Sequence, residues 1–260
     1  MTDSLIDPRA VIDPKAQIAD GVTIGPYSVI GPDVEIGEGT WVGPHVVING
    51  PTTIGKDNKF YQFSSIGEEP QDKKYSGEPT RLEIGDRNVI REYCTFNRGT
   101  VQDLGYTKMG NDNWIMAYVH IAHDCVIGNN TIFANNATLA GHVYIEDYAI
   151  LGGSCLIHQF CTVGKHSFVG MGSAVAKDVL PFTMISGQPA SPHGLNIEGL
   201  KRHNFEPAAI KALRQAYKTI YRSNLTAVKA VEALKPLVDQ YPVVAQIADS
   251  VANSKRGIIR

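Results

Sequence analysis

No apolar run in the chain approaches the roughly 20 residues that a membrane-spanning helix needs, so none is expected. Basic excess is also missing. Lysine and arginine total 24 against 26 aspartates and glutamates, a net charge of −2, so no global field draws the protein to nucleic acid or an anionic membrane. Met1-Thr-Asp-Ser lacks a basic n-region and an apolar h-region, so no signal peptide is read there and a cytoplasmic location is expected. Four cysteines in 260 residues are too few for a disulfide framework in a chain of this size. With 43% hydrophobic and 19% charged residues, one or two ordinary domains with a real core are expected.

What is present is a period of six. Met109, Ile115, Ile121, Ile127, Phe133, Leu139, Ile145, Leu151, Ile157, Val163, Val169 and Val175 are all apolar. A helix repeats its apolar positions at three and four, an amphipathic strand at two. A strict six fits neither and reads as a hexapeptide β-solenoid of short strands and tight turns. The same beat starts near the N-terminus, at Ile6, Ile12, Ile18, Ile24, Ile30, Ile36, Val42, Ile48, Ile54, Phe60 and Ile66. Gly25, Gly31, Gly37, Gly43, Gly55 and Gly67 directly follow ladder residues, where glycine would permit the dihedrals of frequent corners. Cys94, Cys125, Cys155 and Cys161 each fall four after a ladder residue, an offset that also holds Ala10, Ala16, Ser28, Thr40, Ser64, Ala137, Ala149 and Ser167. Cysteine there reads as a small buried hydrophobe.

Two interruptions break the beat. Ile66 and Ile84 are eighteen apart, three hexads, so the register is expected to survive. The polar stretch 68–81 in that gap reads as a loop thrown out of the coil, and such loops often carry binding residues. Phe96 and Met109 are thirteen apart, so the register slips by one across 97–108 and a short bulge or loop must absorb it. Past Val175 the pattern fades into a Pro/Gly-rich connector, and from Pro207 the spacing changes to three and four, predicting three helices. The expected division is a β-solenoid over 1–188 and a small helical domain over 189–260.

Three hexads make a coil of eighteen residues if each coil has three faces, coils stacking about 4.8 Å apart. Eighteen on from His123 is Gly141, and eighteen further is Gln159. His120, His142 and His158 flank that column. A neutral histidine is the usual general base, and an unshielded glycine N–H can donate to a developing oxyanion, so the patch suits acyl transfer to a hydroxyl. Asp124 follows His123 and could orient it or stabilise its charge, although simple alternation points it the other way. Two other classes compete. His120, His123 and His142 could form a three-histidine zinc site in a γ-type carbonic anhydrase-like trimer, although the pair spacing of two departs from that family's four. A non-catalytic solenoid would not need the histidines, the polar loop and the basic connector end together.

Gln71-Asp-Lys-Lys74, His120-Ile-Ala-His-Asp124, Leu139-Ala-Gly-His142, His158-Gln-Phe160 and Asn196-Ile-Glu-Gly-Leu-Lys-Arg202, in this order on a hexad ladder, closely resemble the UDP-N-acetylglucosamine O-acyltransferase family of lipid A biosynthesis. The resemblance covers essentially the whole chain. It implies a left-handed parallel β-helix with a C-terminal helical domain, a homotrimer, and sites between subunits. It implies transfer of an (R)-3-hydroxyacyl group from acyl carrier protein to the sugar 3-hydroxyl, with no cofactor or metal beyond the donor's own phosphopantetheine. His123 would be the base and Gly141 the oxyanion donor. Gln71, Asp72 and Lys74 would hold the sugar and phosphate region, and His120, His142, His158 and Gln159 would line the pocket. Asn196, Glu198 and Arg202 would meet the nucleotide, and basic residues near the helical domain would steer the acidic carrier protein. Met171 would be the acyl-chain ruler, favouring a chain of about ten carbons by filling the groove. His203 stands where the family often has a second arginine, and Asn97 where it often has histidine. A variant acting on a 3-amino sugar, and the related N-acyltransferase with its different N-terminal domain, are the nearest rivals.

Overall fold

A computed structural model describes residues 6–260, so the reading of Met1–Ser4 lies outside the described residues. Strands of two to five residues stack into three sheets of nine, eight and ten strands, parallel except for the last strand of the third, and visited in rotation as the chain coils. The register bears out the eighteen-residue coil: Ile121 pairs with Leu139, and Leu139 with Ile157. Every ladder residue from Met109 to Val175 is at most 2% exposed. Burying each isoleucine or leucine contributes roughly 1.5–3 kcal/mol, and the six-residue period aims all of them inward, so the ladder is the core.

The interruptions differ from expectation. Ile84 pairs with Ile54, thirty positions back rather than eighteen, so the coil advances by one face between Ile66 and Ile84 while twelve extra residues leave it. Met109 pairs with Ile84, twenty-five positions back, so the one-residue slip is in fact a seven-residue excursion. Both excursions leave at the corner between the nine- and eight-stranded sheets, two coils and one coil before His123.

The ladder glycines also work differently. The left-handed corner positions are mostly other residues, such as Tyr118, Asp124, His142 and Phe160 at φ 58–66°. Of the glycines named above only Gly67 has a positive φ. Gly25, Gly37 and Gly55 are needed because the next coil is too close for a side chain: a Cβ on Gly37 would sit 2.6 Å from the Gly55 carbonyl oxygen.

The last strands, Thr183–Ser186 and Ser191–Leu195, form an antiparallel hairpin on the ten-stranded sheet, so position 188 falls within it. Helices follow: α1 (Ile197–Arg202), α2 (Pro207–Arg222), α3 (Ala227–Gln240) and, after a 3₁₀ turn, α4 (Ala245–Asn253). Pro207 opens α2 as expected. Their apolar faces share one cluster with Leu180 and Phe182 of the final coil, so the helices pack onto the end of the solenoid. No described helix is long and apolar enough to cross a membrane.

Candidate active site

The corner between the nine- and eight-stranded sheets brings His123, Asp124 and His142 together. His123 Nδ1 lies 2.8 Å from Asp124 Oδ2. An ionised carboxylate only accepts, so Nδ1 is the donor in this pair, and in the neutral ring Nε2 is the acceptor. Strand alternation misjudged Asp124 because it is a corner residue, at φ 58°, where alternation does not hold. Its carboxylate is fully buried. Burial pushes the Asp124 carboxyl up, but hydrogen bonds from His123 and Thr100, with His142 nearby, outweigh this and hold it below the usual carboxylate range.

Gly141 stacks one coil above. A Cβ there would lie 2.6 Å from His123 Cε1 and 2.8 Å from Nε2, so the imidazole rests directly on glycine backbone. Among the described residues no acceptor takes the Gly141 N–H. His142 follows, its ring edge-on to His123 at 5.0 Å and 89°, and stacked on Phe160 at 4.4 Å. His142 Nδ1 lies 2.6 Å from Asp103 Oδ2. His120 bonds through Nδ1 to the Thr95 hydroxyl at 2.7 Å, and burial, then His123, lower its pKa. His120 and His158 flank an apolar concavity of about 340 Å³ lined also by Thr138, Leu139, Leu156 and Ala174. Gln159 is exposed beside His158, whose Nδ1 lies 3.2 Å from its carbonyl oxygen. A larger concavity, about 650 Å³ between the eight-stranded sheet and α4, contains none of these histidines.

Among the described residues of one chain, His120, His123 and His142 do not converge as a set of three ligands. The ligand atoms that converge, within 4.8 Å of one another, belong to His123, Asp124 and His142, and His120 is not among them.

Gln71, Asp72 and Lys74 lie on the excursion at the His123 corner; the Lys74 N–H donates to Asp72 Oδ1 at 3.0 Å. Asn97, unassigned from sequence, donates to the Glu69 carbonyl at 2.6 Å. Arg98 donates to the Gly67 carbonyl at 2.6 Å and the Tyr75 hydroxyl at 3.1 Å, so this buried pair anchors the loop. Asn196, Glu198 and Arg202 lie elsewhere, near the corner between the eight- and ten-stranded sheets. There Asn196 caps α1, accepting from Gly199 N, and donates to the His166 carbonyl at 3.0 Å. His203 packs edge-on to Tyr148 and His166, at 4.7 and 4.9 Å. Met171 is at the third corner, 82% exposed. Sequence reasoning missed Thr100, Asp103 and Thr107 around the dyad, and Arg98; the only signal was the thirteen-residue spacing that located their excursion. All four cysteines are free and buried, and burial pushes the Cys94, Cys125 and Cys155 thiols up to about 12 and that of Cys161 to about 11.

Residues 178–259 match the model described as UDP N-acetylglucosamine O-acyltransferase, domain 2, and residues 106–141 match the bacterial transferase hexapeptide model. An acyl-(acyl-carrier-protein)-UDP-N-acetylglucosamine O-acyltransferase of Thiobacillus denitrificans is 60% identical over 98% of this chain and 99% of its own. The chain belongs to that family. It is an acyltransferase. A Pseudomonas fluorescens member is 58% identical over 99% of this chain and 100% of its own. The solved UDP-N-acetylglucosamine O-acyltransferase of Moraxella catarrhalis superposes with a TM-score of 0.97 at 49% identity, covering 98% of this chain and 100% of that one.

Proposed function

We propose that the protein transfers an (R)-3-hydroxyacyl group from acyl carrier protein to the 3-hydroxyl of UDP-N-acetylglucosamine, the first step of lipid A biosynthesis. The observation that carries this reading is the His123–Asp124 pair lying against Gly141, whose N–H is uncommitted among the described residues. His123 Nε2 takes the proton of the sugar hydroxyl as its oxygen attacks the thioester carbonyl. The Gly141 N–H holds the resulting oxyanion. Collapse breaks the carbon–sulfur bond, and the departing thiolate takes the proton back from the His123 imidazolium, which Asp124 has stabilised meanwhile.

Gln71, Asp72 and Lys74, two coils away on the same corner, hold the sugar and phosphate region. His120, His142, His158 and Gln159 line the pocket, and the apolar concavity beside His120 and His158 suits an acyl chain. Asn196, Glu198 and Arg202 meet the nucleotide. The distribution of these groups over different corners of one chain supports a homotrimer with sites completed between neighbours; a cytoplasmic location and coils of left-handed sense rest on the family resemblance alone. Arg214, Lys218 and Arg222 lie four apart on α2 and, with His193, line a concavity of about 440 Å³. Such a basic stripe suits the acidic carrier protein and acts mainly on its approach. Met171 limits the chain to about ten carbons by filling the far end of the groove.

The deciding experiment incubates the enzyme and His123→Ala with 3-hydroxyacyl carrier proteins of graded length and either UDP-N-acetylglucosamine or its 3-amino analogue. O-acylation that falls by about 10²–10⁴ in the variant is expected for loss of a general base. Undiminished transfer would remove His123 from that role, and preference for the amino sugar would replace the ester product with an amide.

A further inference from the structure

We propose that Asp103 is a positioning residue for His142, and that the excursion between Phe96 and Met109 orients both imidazoles of the site. This rests on the acyl-transfer reading above and adds a group that reading does not need. Asp103 Oδ2 lies 2.6 Å from His142 Nδ1. The ionised carboxylate accepts, so His142 Nδ1 carries the proton and Nε2 is the only ring nitrogen left for a ligand. Asp124 cannot do this anchoring: its Oδ2 is 3.9 Å from His142 Nδ1, and its oxygens already accept from His123 and Thr100. Phe160, stacked at 4.4 Å and 15°, fixes the plane of the His142 ring, and Asp103 fixes its rotation within that plane.

The result is two carboxylate-anchored imidazoles side by side, their rings 5.0 Å apart and nearly perpendicular. His123 is anchored by the residue after it in sequence. His142 is anchored from 39 positions away, by a loop that the ladder arithmetic does not contain. The same loop supplies Thr100, which donates its N–H and its hydroxyl to Asp124. The loop is itself closed, the Gly105 N–H reaching the Thr100 carbonyl at 3.0 Å. A held His142 Nε2 beside the base is placed to hydrogen-bond the acceptor sugar, so its orientation acts on how tightly the sugar is held rather than on the proton transfer at His123.

The test measures kcat and KM for UDP-N-acetylglucosamine in Asp103→Ala, Asp103→Asn, His142→Ala and the Asp103→Ala/His142→Ala double variant, with thermal unfolding as a folding control. Asp103→Ala is expected to raise KM for the nucleotide sugar about fivefold, the worth of one hydrogen bond, with kcat and the unfolding midpoint little changed. Asp103→Asn should recover most of this, because the amide oxygen still accepts the Nδ1–H. The double variant should match His142→Ala, since the aspartate then has nothing to orient. An unchanged KM in Asp103→Ala, additive effects in the double variant, or an asparagine variant as poor as the alanine would each overturn the proposal. His123→Ala run alongside separates the two readings. Retained turnover there removes the base, while the coupling between Asp103 and His142 is still read from KM.

Discussion

Thr100 grips Asp124 with two donors, its backbone N–H at 2.9 Å and its hydroxyl at 2.6 Å. Asp124 in turn holds the Nδ1 proton of His123. Thr100→Val keeps the shape and the N–H but removes the hydroxyl, leaving a buried carboxylate one donor short. Loss of a hydrogen bond to a charged group costs about 1.5–3 kcal/mol, so the unfolding midpoint should fall measurably. The Asp124 carboxyl is depressed in the folded state, so the stability it contributes is present above the ordinary carboxylate range and is lost as pH falls through the folded value. Thr100→Val shrinks that depression, so its stability deficit should be full at neutral pH and narrow in acid. Urea titrations at pH 7 and near pH 3 read this, and a deficit independent of pH would refute it.

Gly141 has no room for a methyl group on the side that meets His123, with Cε1 at 2.6 Å from the Cβ position. Its own backbone is not in the left-handed region, so alanine is not strained there by φ. Gly141→Ala should therefore fold, while displacing the imidazole by the better part of an ångström. A misplacement of that size costs about 10²-fold in turnover. Circular dichroism and kcat on one preparation check this, and a folded variant with wild-type kcat would show that the ring need not rest on Gly141.

The site was legible in the sequence wherever the period is continuous. His123, Gly141 and Gln159 are linked by two steps of eighteen, and the offset of four within the six-residue period explains why Cys94, Cys125, Cys155 and Cys161 are buried. Thr100 and Asp103 escaped because an inserted loop has no period, and its contacts with Asp124 and His142 depend on how it folds back. Asp124 was legible as a neighbour and misjudged in direction, since a corner residue at φ 58° does not follow strand alternation. The eighteen-residue gap after Ile66 misled for a related reason: a multiple of six in sequence can be one face of coil plus a loop of twelve.

His166 is 6% exposed, its Nδ1 without a hydrogen-bond partner among the described residues, between Tyr148 and Phe182 and against His203 of the helical domain. Burial, then His203 and Lys165, lower its pKa from 6.5 to about 4, against a small opposing pull from Asp147. A histidine kept neutral by folding binds its proton more readily when unfolded. Stability should therefore fall as pH drops from about 6.5 to about 4, by a few kcal/mol at most, and then level off for this group. His166→Phe keeps the stack and removes the titration. Its unfolding midpoint should vary less between pH 7 and pH 4.5 than the parent's, and parallel curves would remove His166 as a source of acid sensitivity.

Met171 occupies a corner of its own, 82% exposed in the single chain and separate from the residues lining the concavity beside His120 and His158. An exposed methionine at a solenoid corner has no packing role in its own chain, so Met171→Gly should leave the unfolding midpoint of an isolated chain nearly unchanged. In the proposed role of ruler in a groove completed by a neighbour, the side chain would exclude several methylenes, each worth about 0.8 kcal/mol when buried. Met171→Gly should then move the preferred 3-hydroxyacyl donor from about ten carbons toward fourteen, raising kcat/KM for the longer chain by about 10- to 200-fold. Gly172, next to it, has open space around its Cβ position, so Gly172→Ala controls for a general loosening or strain of the corner, although its φ of 68° carries a modest backbone cost. Competition between ten- and fourteen-carbon carrier proteins in one reaction gives the ratio directly. An unchanged ratio in Met171→Gly, or an equal shift in Gly172→Ala, would return Met171 to the role of surface residue.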